Sequence, residues 1–195
     1  MQVYRIAPIV GLCAVLLCLA SPGVARADRP AAFMKQAGLQ LIAAVRSRSH
    51  ATMADVIRLY SDLPDIGLFS LGNYRKHLPS SRRSAYYNCV ARFMARYFIG
   101  QARQYPIAKF QVVTQSGKLQ WGYEVDSVVT LTNGTTHTLR WHVVPRSGGY
   151  KVRDVSIVGV WITPISMVGQ QKDLFVGYIR DNGGKIKALL SALGS

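Results

Sequence analysis

The spacing of apolar residues changes once along this chain, close to Tyr105 and Pro106. Before this point apolar residues recur every three to four positions, which is typical of one face of an α-helix. After it they alternate with polar residues, as in strands that bury one face of a sheet. A run of helices followed by a run of strands predicts an α+β domain in which the helices pack on one face of the sheet.

Three helices are predicted before the change, over residues 31–47, 52–60 and 81–103. The third is the longest, and its apolar stripe has five members at helical spacing: Tyr86, Val90, Phe93, Met94 and Tyr97. Three basic residues share an adjacent face of the same helix: Arg92, Arg96 and Arg103. One side of this helix is therefore expected to be buried while the next is strongly cationic.

Four strands are predicted after the change, at residues 110–114, 123–131, 136–144 and 150–161. Asn133-Gly134 separates the second strand from the third and predicts a hairpin with a type I′ turn. A second turn, rich in glycine, precedes the fourth strand. These short connections predict a curved four-stranded antiparallel meander, and further helices are expected to close the domain after it.

The first 27 residues have the pattern of an export signal. Arg5 precedes an almost entirely apolar run at residues 6–20, and residues 25–27 read Ala-Arg-Ala, a typical cleavage site. The apolar run is too short to span a membrane comfortably. We therefore expect residues 1–27 to be a cleaved signal peptide and residues 28–195 to form a single mature periplasmic domain.

The chain is strongly basic, with 24 lysines and arginines against nine acids and a net charge of +15. The predicted signal contains two of the arginines and no acid, so the mature charge is +13, two lower than +15. Such a charge favours anionic lipid, an acidic protein or nucleic acid as a partner. Export and the lack of a nucleic-acid motif argue against nucleic acid. Cys89 is the one cysteine after the signal and is expected to be a small buried hydrophobe.

Several segments in order resemble one family of exported proteins. The last predicted strand reads V-x-D-V-x-I-x-G-V from Val152, and N-G-G-x-I-x-x-L follows from Asn182. Residues 65–75 read D-I-x-L-F-x-L-G-x-Y-R, and residues 80–87 read S-x-R-R-x-A-Y-Y. Together these segments resemble the MlaC-type periplasmic phospholipid-binding family, also described as toluene-tolerance auxiliary components of ABC transporters. The resemblance covers nearly the whole predicted mature chain.

The resemblance implies an NTF2-like or cystatin-like shape with a deep apolar pocket for acyl chains. It also implies a carrier that takes phospholipid between an outer-membrane lipoprotein complex and an inner-membrane lipid ABC transporter complex, with transient contact at the membrane surface. This chain has Trp161 where the family usually has a small polar residue. Because a flat indole suits a ring ligand, a hopanoid or another polycyclic lipid is the alternative cargo.

The apolar faces of helices and strands, taken with the resemblance, predict the residues of the lipid-binding pocket. They are Phe69, Val90, Phe93, Met94, Tyr97, Val129, Trp141, Val155, Ile157, Trp161 and Phe175. The competing interpretation is that these side chains fill an ordinary core. A cationic rim for docking to a partner or membrane is predicted from Arg82, Arg83, Arg92, Arg96 and Arg103.

An enzyme of NTF2-like fold acting on a hydrophobic substrate is an alternative from another class, and a basic module that binds an acidic envelope partner is a third. Four candidate residues lie on the predicted strands: Asp126, His137, His142 and Asp154. An aspartate with a tyrosine in an apolar cone would form a proton-transfer site. However, both aspartates lie beside basic residues and are expected to pair with Arg140 or Arg153. Since catalytic motifs are missing and histidines are scattered, we predict a carrier without enzymatic activity, cofactor or metal.

Overall fold

The computed structural model of the chain describes residues 28–159 and 164–194. The predicted signal peptide lies outside these residues, as does Trp161. Four helices come first: α1 (Asp28–Ser47), α2 (His50–Tyr60), α3 (Leu63–Ser70) and α4 (Arg83–Gln104), with short 3₁₀ helices at Gly72–His77 and Ser80–Arg82. Five strands and two helices follow: β1 (Ile107–Leu119), β2 (Gly122–Leu131), β3 (Thr136–Arg146), β4 (Gly149–Val158), β5 (Ile165–Ser166), α5 (Met167–Asp181) and α6 (Ile186–Leu193).

The sheet is an antiparallel meander in which the strands lie in sequence order. This arrangement, with helices before and after it, confirms the predicted α+β class. The described sheet has five strands, one more than predicted. The additional strand, β5, pairs with β4 through two residues and is too short to show a periodic signal in the sequence. None of the described helices combines the length and apolar character that crossing a membrane requires.

The hairpin between β2 and β3 forms at the predicted place but has a different turn. Gly134 has a φ of +86°, whereas Asn133 does not have the positive φ that a type I′ turn requires. Gly134 N donates to Leu131 O at 3.0 Å, and the Asn133 side chain accepts from Thr135 N at 3.0 Å. The prediction of a type I′ turn was wrong because the asparagine side chain stabilises a three-residue loop with its one left-handed residue at Gly134.

The helices cover one face of the sheet. Along β2 the buried positions alternate, beginning at Val125, while their neighbours are half-buried. Helix α1 crosses β1 at Gly38, where an added Cβ would lie 2.1 Å from Cε1 of Phe110. Only glycine permits this approach without displacing the ring. Gly38 is therefore a contact point between α1 and the sheet.

Polar contacts attach α3 to β3 and β4. Asp62 begins α3 by accepting from Asp65 N at 3.5 Å, and its carboxylate pairs with Arg146. Its own backbone N donates to Val152 O at 2.8 Å. Asp65 in turn pairs with Arg153 at 2.5 Å. These contacts fix the helix over the end of the sheet where β4 begins.

The first turn of α5 is attached to the same strand by Asp154. Its carboxylate accepts from Ser166 Oγ at 2.5 Å, from Val168 N at 3.1 Å and from Val155 N at 2.8 Å. The expected pairing of Asp154 with Arg140 or Arg153 was therefore wrong. Backbone and hydroxyl donors at the start of a helix satisfy this carboxylate instead.

Candidate functional site

A cavity of about 300 Å³ lies between the helices and the sheet. Strands β3 and β4 contribute Trp141, Val152, Asp154 and Val155 to its wall. Helix α4 contributes Phe93, Met94, Tyr97 and Phe98. The remaining wall comes from α1, α2 and the residue after it, α3, and the first half of α5: Ala37, Leu41, Val56, Ile57, Tyr60, Ser61, Ile66, Met167, Val168, Gln170, Gln171 and Leu174. The volume is at the lower end of the range for small-molecule sites, and the wall is mostly apolar as such sites are.

Aromatic contacts hold parts of this wall in place. The Phe93 ring meets the Phe175 ring edge to face, with centroids 5.0 Å apart. Trp141 Nε1 donates to Ser127 Oγ at 2.8 Å, and both groups are buried. The indole therefore has a partner for its N–H while it presents apolar surface to the cavity.

The cavity opens to solvent between α4 and α5. Leu174 of α5 lines the cavity and is 57% exposed, and Tyr97 of α4 lines it and is 37% exposed. Gln170, one turn before Leu174, is exposed as well. A large apolar side chain that faces both a cavity and water is typical of a ligand entrance.

The candidate acid and base residues do not form a free catalytic group in this cavity. Asp126 accepts two hydrogen bonds from Arg140, both at 2.9 Å, which confirms the predicted pairing. These hydrogen bonds raise the pKa of the Arg140 guanidinium. His142 lies 3.0 Å from Glu124 Oε1, and neither His142 nor His137 is in the cavity wall. Asp154 is in the wall, but its oxygens are engaged at the start of α5.

The family model described as MlaC protein matches residues 33–195. The chain belongs to the MlaC family. This confirms the resemblance seen in the sequence. The fold is also similar to that of a solved structure, the phospholipid-binding protein from Ralstonia solanacearum in complex with a phospholipid. The two share 18% sequence identity over 86% of this chain and 95% of that chain, with a TM-score of 0.65. None of the curated proteins matches this chain significantly.

Within this MlaC family member, five of the predicted lipid-binding residues meet in the cavity wall. They are Phe93, Met94, Tyr97, Trp141 and Val155. The residues that sequence reasoning missed include Leu41 on α1, Ile57 on α2 and Leu174 on α5. Leu41 and Ile57 belong to apolar helical stripes, so the periodicity that placed those helices could have identified them. Their contact with lipid remains a prediction, like that of the first five.

Of the other predicted lipid-binding residues, Trp161 is outside the described part of the chain and five do not line the cavity. Val90 and Phe175 are fully buried in the closed core. Val129 is buried and Ile157 is half-buried on the sheet, and neither lines the cavity. Phe69 is 44% exposed on α3, where Lys172 Nζ lies 5.2 Å from the centre of its ring. Periodicity identified these side chains as apolar positions but did not tell which of them border empty space.

The five arginines of the predicted cationic rim lie in two different environments. Arg82, Arg83, Arg96 and Arg103 are exposed, and none of them forms an ion pair with a described residue. Arg92 is half-buried instead, and its guanidinium donates to Gly194 O at 3.0 Å and to Cys89 Sγ at 2.9 Å. It attaches the end of α6 to α4. Cys89 is buried, as predicted.

Proposed function

We propose that this protein is a non-enzymatic carrier that encloses the acyl chains of a phospholipid in its cavity and moves the lipid through the periplasm between membranes. The observation that carries the proposal is the apolar cavity with an exposed apolar entrance in a member of the MlaC family. The Ralstonia solanacearum protein of similar fold is described as bound to a phospholipid, which supports lipid as the ligand class.

The energetics of lipid in water explain why a carrier needs such a cavity. Each CH₂ group transferred from water to an apolar environment contributes about 0.8 kcal/mol, so two chains of about 15 carbons represent on the order of 20 kcal/mol. A cavity that offers burial comparable to a bilayer makes transfer nearly neutral and therefore reversible. At about 300 Å³ the cavity is small for two full chains. We expect the entrance side chains Tyr97 and Leu174 to cover the chain segments that extend out of it.

The cellular part of the proposal depends on the export signal and the basic charge. A chain with the leader pattern of residues 1–27 would work in the periplasm, between an outer-membrane lipoprotein complex and an inner-membrane ABC transporter complex. Exposed arginines near the entrance would bring it to an anionic membrane surface or to an acidic partner.

The test is lipid extraction and mass spectrometry of the protein purified from periplasm. We expect co-purified phospholipid in the wild type and little in Leu41→Glu, because the new carboxylate lies in the cavity wall. Leu39→Glu is the matched control, since Leu39 is on the same helix, is 63% exposed and does not line the cavity. Wild-type protein free of lipid, or equal lipid content in both variants, would contradict the proposal.

A further inference from the structure

One buried polar side chain in the cavity wall has hydrogen-bonding groups to spare. Gln171 on α5 is 8% exposed and lines the cavity. Its Nε2 donates to Ser70 Oγ at 2.8 Å, and Ser70 Oγ donates to Ile66 O at 2.7 Å. Ser70 is itself completely buried on α3. The orientation of the carboxamide is therefore set by a neighbouring helix and not by solvent.

A carboxamide has two N–H donors and a carbonyl acceptor. Among the described residues, the bond to Ser70 is the one hydrogen bond that the Gln171 side chain makes. One N–H and the carbonyl oxygen therefore have no partner among the described residues. Buried polar groups are nearly always hydrogen-bonded in folded proteins, because leaving them without a partner in apolar surroundings is unfavourable. This part of the wall is consequently suited to a ligand that brings a polar group of its own.

The position of Gln171 indicates which part of a lipid it would meet. Its neighbours Gln170 and Leu174 also line the cavity and are exposed, whereas Val168 and Phe175 are buried. Gln171 thus lies at the boundary between the entrance and the apolar interior. In a two-chain phospholipid, the ester groups lie at the corresponding boundary between acyl chains and head group. The neutral amide also matches a neutral carbonyl better than a phosphate, for which a cation is the stronger partner.

We propose that Gln171 is a specificity-determining residue, which donates its free N–H to an ester carbonyl of the bound lipid and so favours ester-linked over ether-linked lipids. The inference rests on the proposed function and deepens it by naming a chemical class of cargo. An ether-linked lipid can carry alkyl chains of the same length, but it has no carbonyl oxygen to accept this hydrogen bond. Loss of one neutral hydrogen bond corresponds to roughly 3- to 10-fold weaker binding.

The experiment compares the affinities of two lipids for the same protein. A change in fold that weakens both affinities equally then cancels in their ratio. Diester phosphatidylglycerol and its dialkyl ether analogue, with the same chain length, compete for lipid-free protein, and the ratio of their dissociation constants is measured. We expect a wild-type preference for the diester of about 3- to 10-fold, which Gln171→Met abolishes by removing the amide while keeping an unbranched side chain. Ser70→Ala, which removes the hydroxyl that orients the amide, is expected to reduce the preference.

Gln36→Met is the matched control, because Gln36 is exposed on α1 and lies outside the cavity wall. It should keep the wild-type preference. An equal affinity of the wild type for both lipids, or a preference that survives in Gln171→Met, overturns the inference while leaving the carrier function intact. If neither lipid binds the wild type, the proposed function fails together with it.

Discussion

The two halves of α4 belong to the same apolar stripe, yet they face different surroundings. In the first half, Tyr86 and Val90 are fully buried in packed core. In the second half, Phe93, Met94 and Tyr97 form part of the wall of an open cavity. The sequence pattern is continuous across the boundary, so the difference arises from what the rest of the chain places opposite the helix.

Gly67 explains why the first half is closed. The Tyr86 hydroxyl donates to Gly67 O at 2.9 Å, and an added Cβ at Gly67 would lie 3.0 Å from Cδ1 of Tyr87. Helix α3 therefore comes close to α4 at this point and fills the space between them. Opposite the second half, the cavity lies between α4, the strands and α5, and the Phe93 ring contacts the Phe175 ring of α5. An apolar stripe thus identifies which side of a helix faces the interior. The elements that lie opposite the helix determine whether the space there is packed or empty.

The largest expected effect comes from introducing a glutamine into each half of α4, at Val90 and at Met94, which are one helical turn apart. Val90→Gln introduces a larger polar side chain into packed core and should reduce the free energy of unfolding by about 2–4 kcal/mol. Met94→Gln changes the volume little and borders the cavity, so we expect a loss below about 1 kcal/mol together with reduced lipid content. Urea unfolding and lipid extraction measure both quantities. Equal destabilisation by the two changes would mean that the second half is as tightly packed as the first.

Much of the fold follows from local pattern, because α-helices and strands of adequate length impose their own periods on the sequence. The limits of α2, of α4 and of the strands β2 and β3 were predicted to within a few residues. The hairpin turn was predicted in place but not in type, because the Asn133 side chain forms a local hydrogen bond that a dipeptide rule does not include. The two-residue strand β5 had no period to detect.

The site was less predictable because a cavity is defined by the absence of neighbouring atoms. Phe175 and Trp141 are both buried aromatic residues at periodic positions, yet only Trp141 lines the cavity. Asp154 showed the same limit for polar residues, since two of its three partners, Ser166 and Val168, lie at the start of α5 and not beside it on the sheet. Long-range contacts of this kind are decided by how the elements pack, and one sequence gives no direct measure of them.

A smaller effect concerns Tyr86 in the closed first half of α4, where the free energy of unfolding should depend on pH. Burial raises the pKa of the Tyr86 hydroxyl, and the nearby Tyr87 and Cys89 add to this shift. Because the pKa of Tyr86 is higher in the folded state, its contribution to the free energy of unfolding is fully present below the unfolded value of about 10. This contribution is lost as the pH rises above that value. Above about pH 10 this residue alone should lower the free energy of unfolding by about 1.4 kcal/mol per pH unit.

Tyr86→Phe tests this assignment. At neutral pH the variant should be less stable by about 1 kcal/mol, since it loses the hydrogen bond to Gly67 O. Its stability should then decline less steeply than that of the wild type between about pH 10 and 11, as followed by urea unfolding at several pH values. An unchanged slope would show that the Tyr86 hydroxyl ionises in the folded protein as easily as in the unfolded chain, which contradicts a closed first half.

The smallest expected effect separates the outer surfaces of the two halves. Arg82 and Arg83 are exposed at the closed end of α4, while Arg96 and Arg103 are exposed on the half that contributes Tyr97 to the entrance. Each basic residue near an anionic membrane contributes about 1 kcal/mol of attraction, which fades over roughly 8 Å at physiological salt. Because the lipid must leave through the entrance, the arginines on that half should act on delivery more strongly than the others. Reversing Arg96 and Arg103 to Glu should therefore slow transfer to anionic vesicles several-fold.

The same reversal at Arg82 and Arg83 gives the matched control, since it changes the net charge equally. We expect this pair to slow transfer less, and raised salt should slow the wild type while narrowing the difference between the variants. Stability should change by less than about 0.5 kcal/mol in both, because these are exposed side chains without an ion-pair partner among the described residues. Equal slowing by the two reversals would assign the effect to overall charge. Docking would then not distinguish the half of α4 that borders the cavity from the half that is closed.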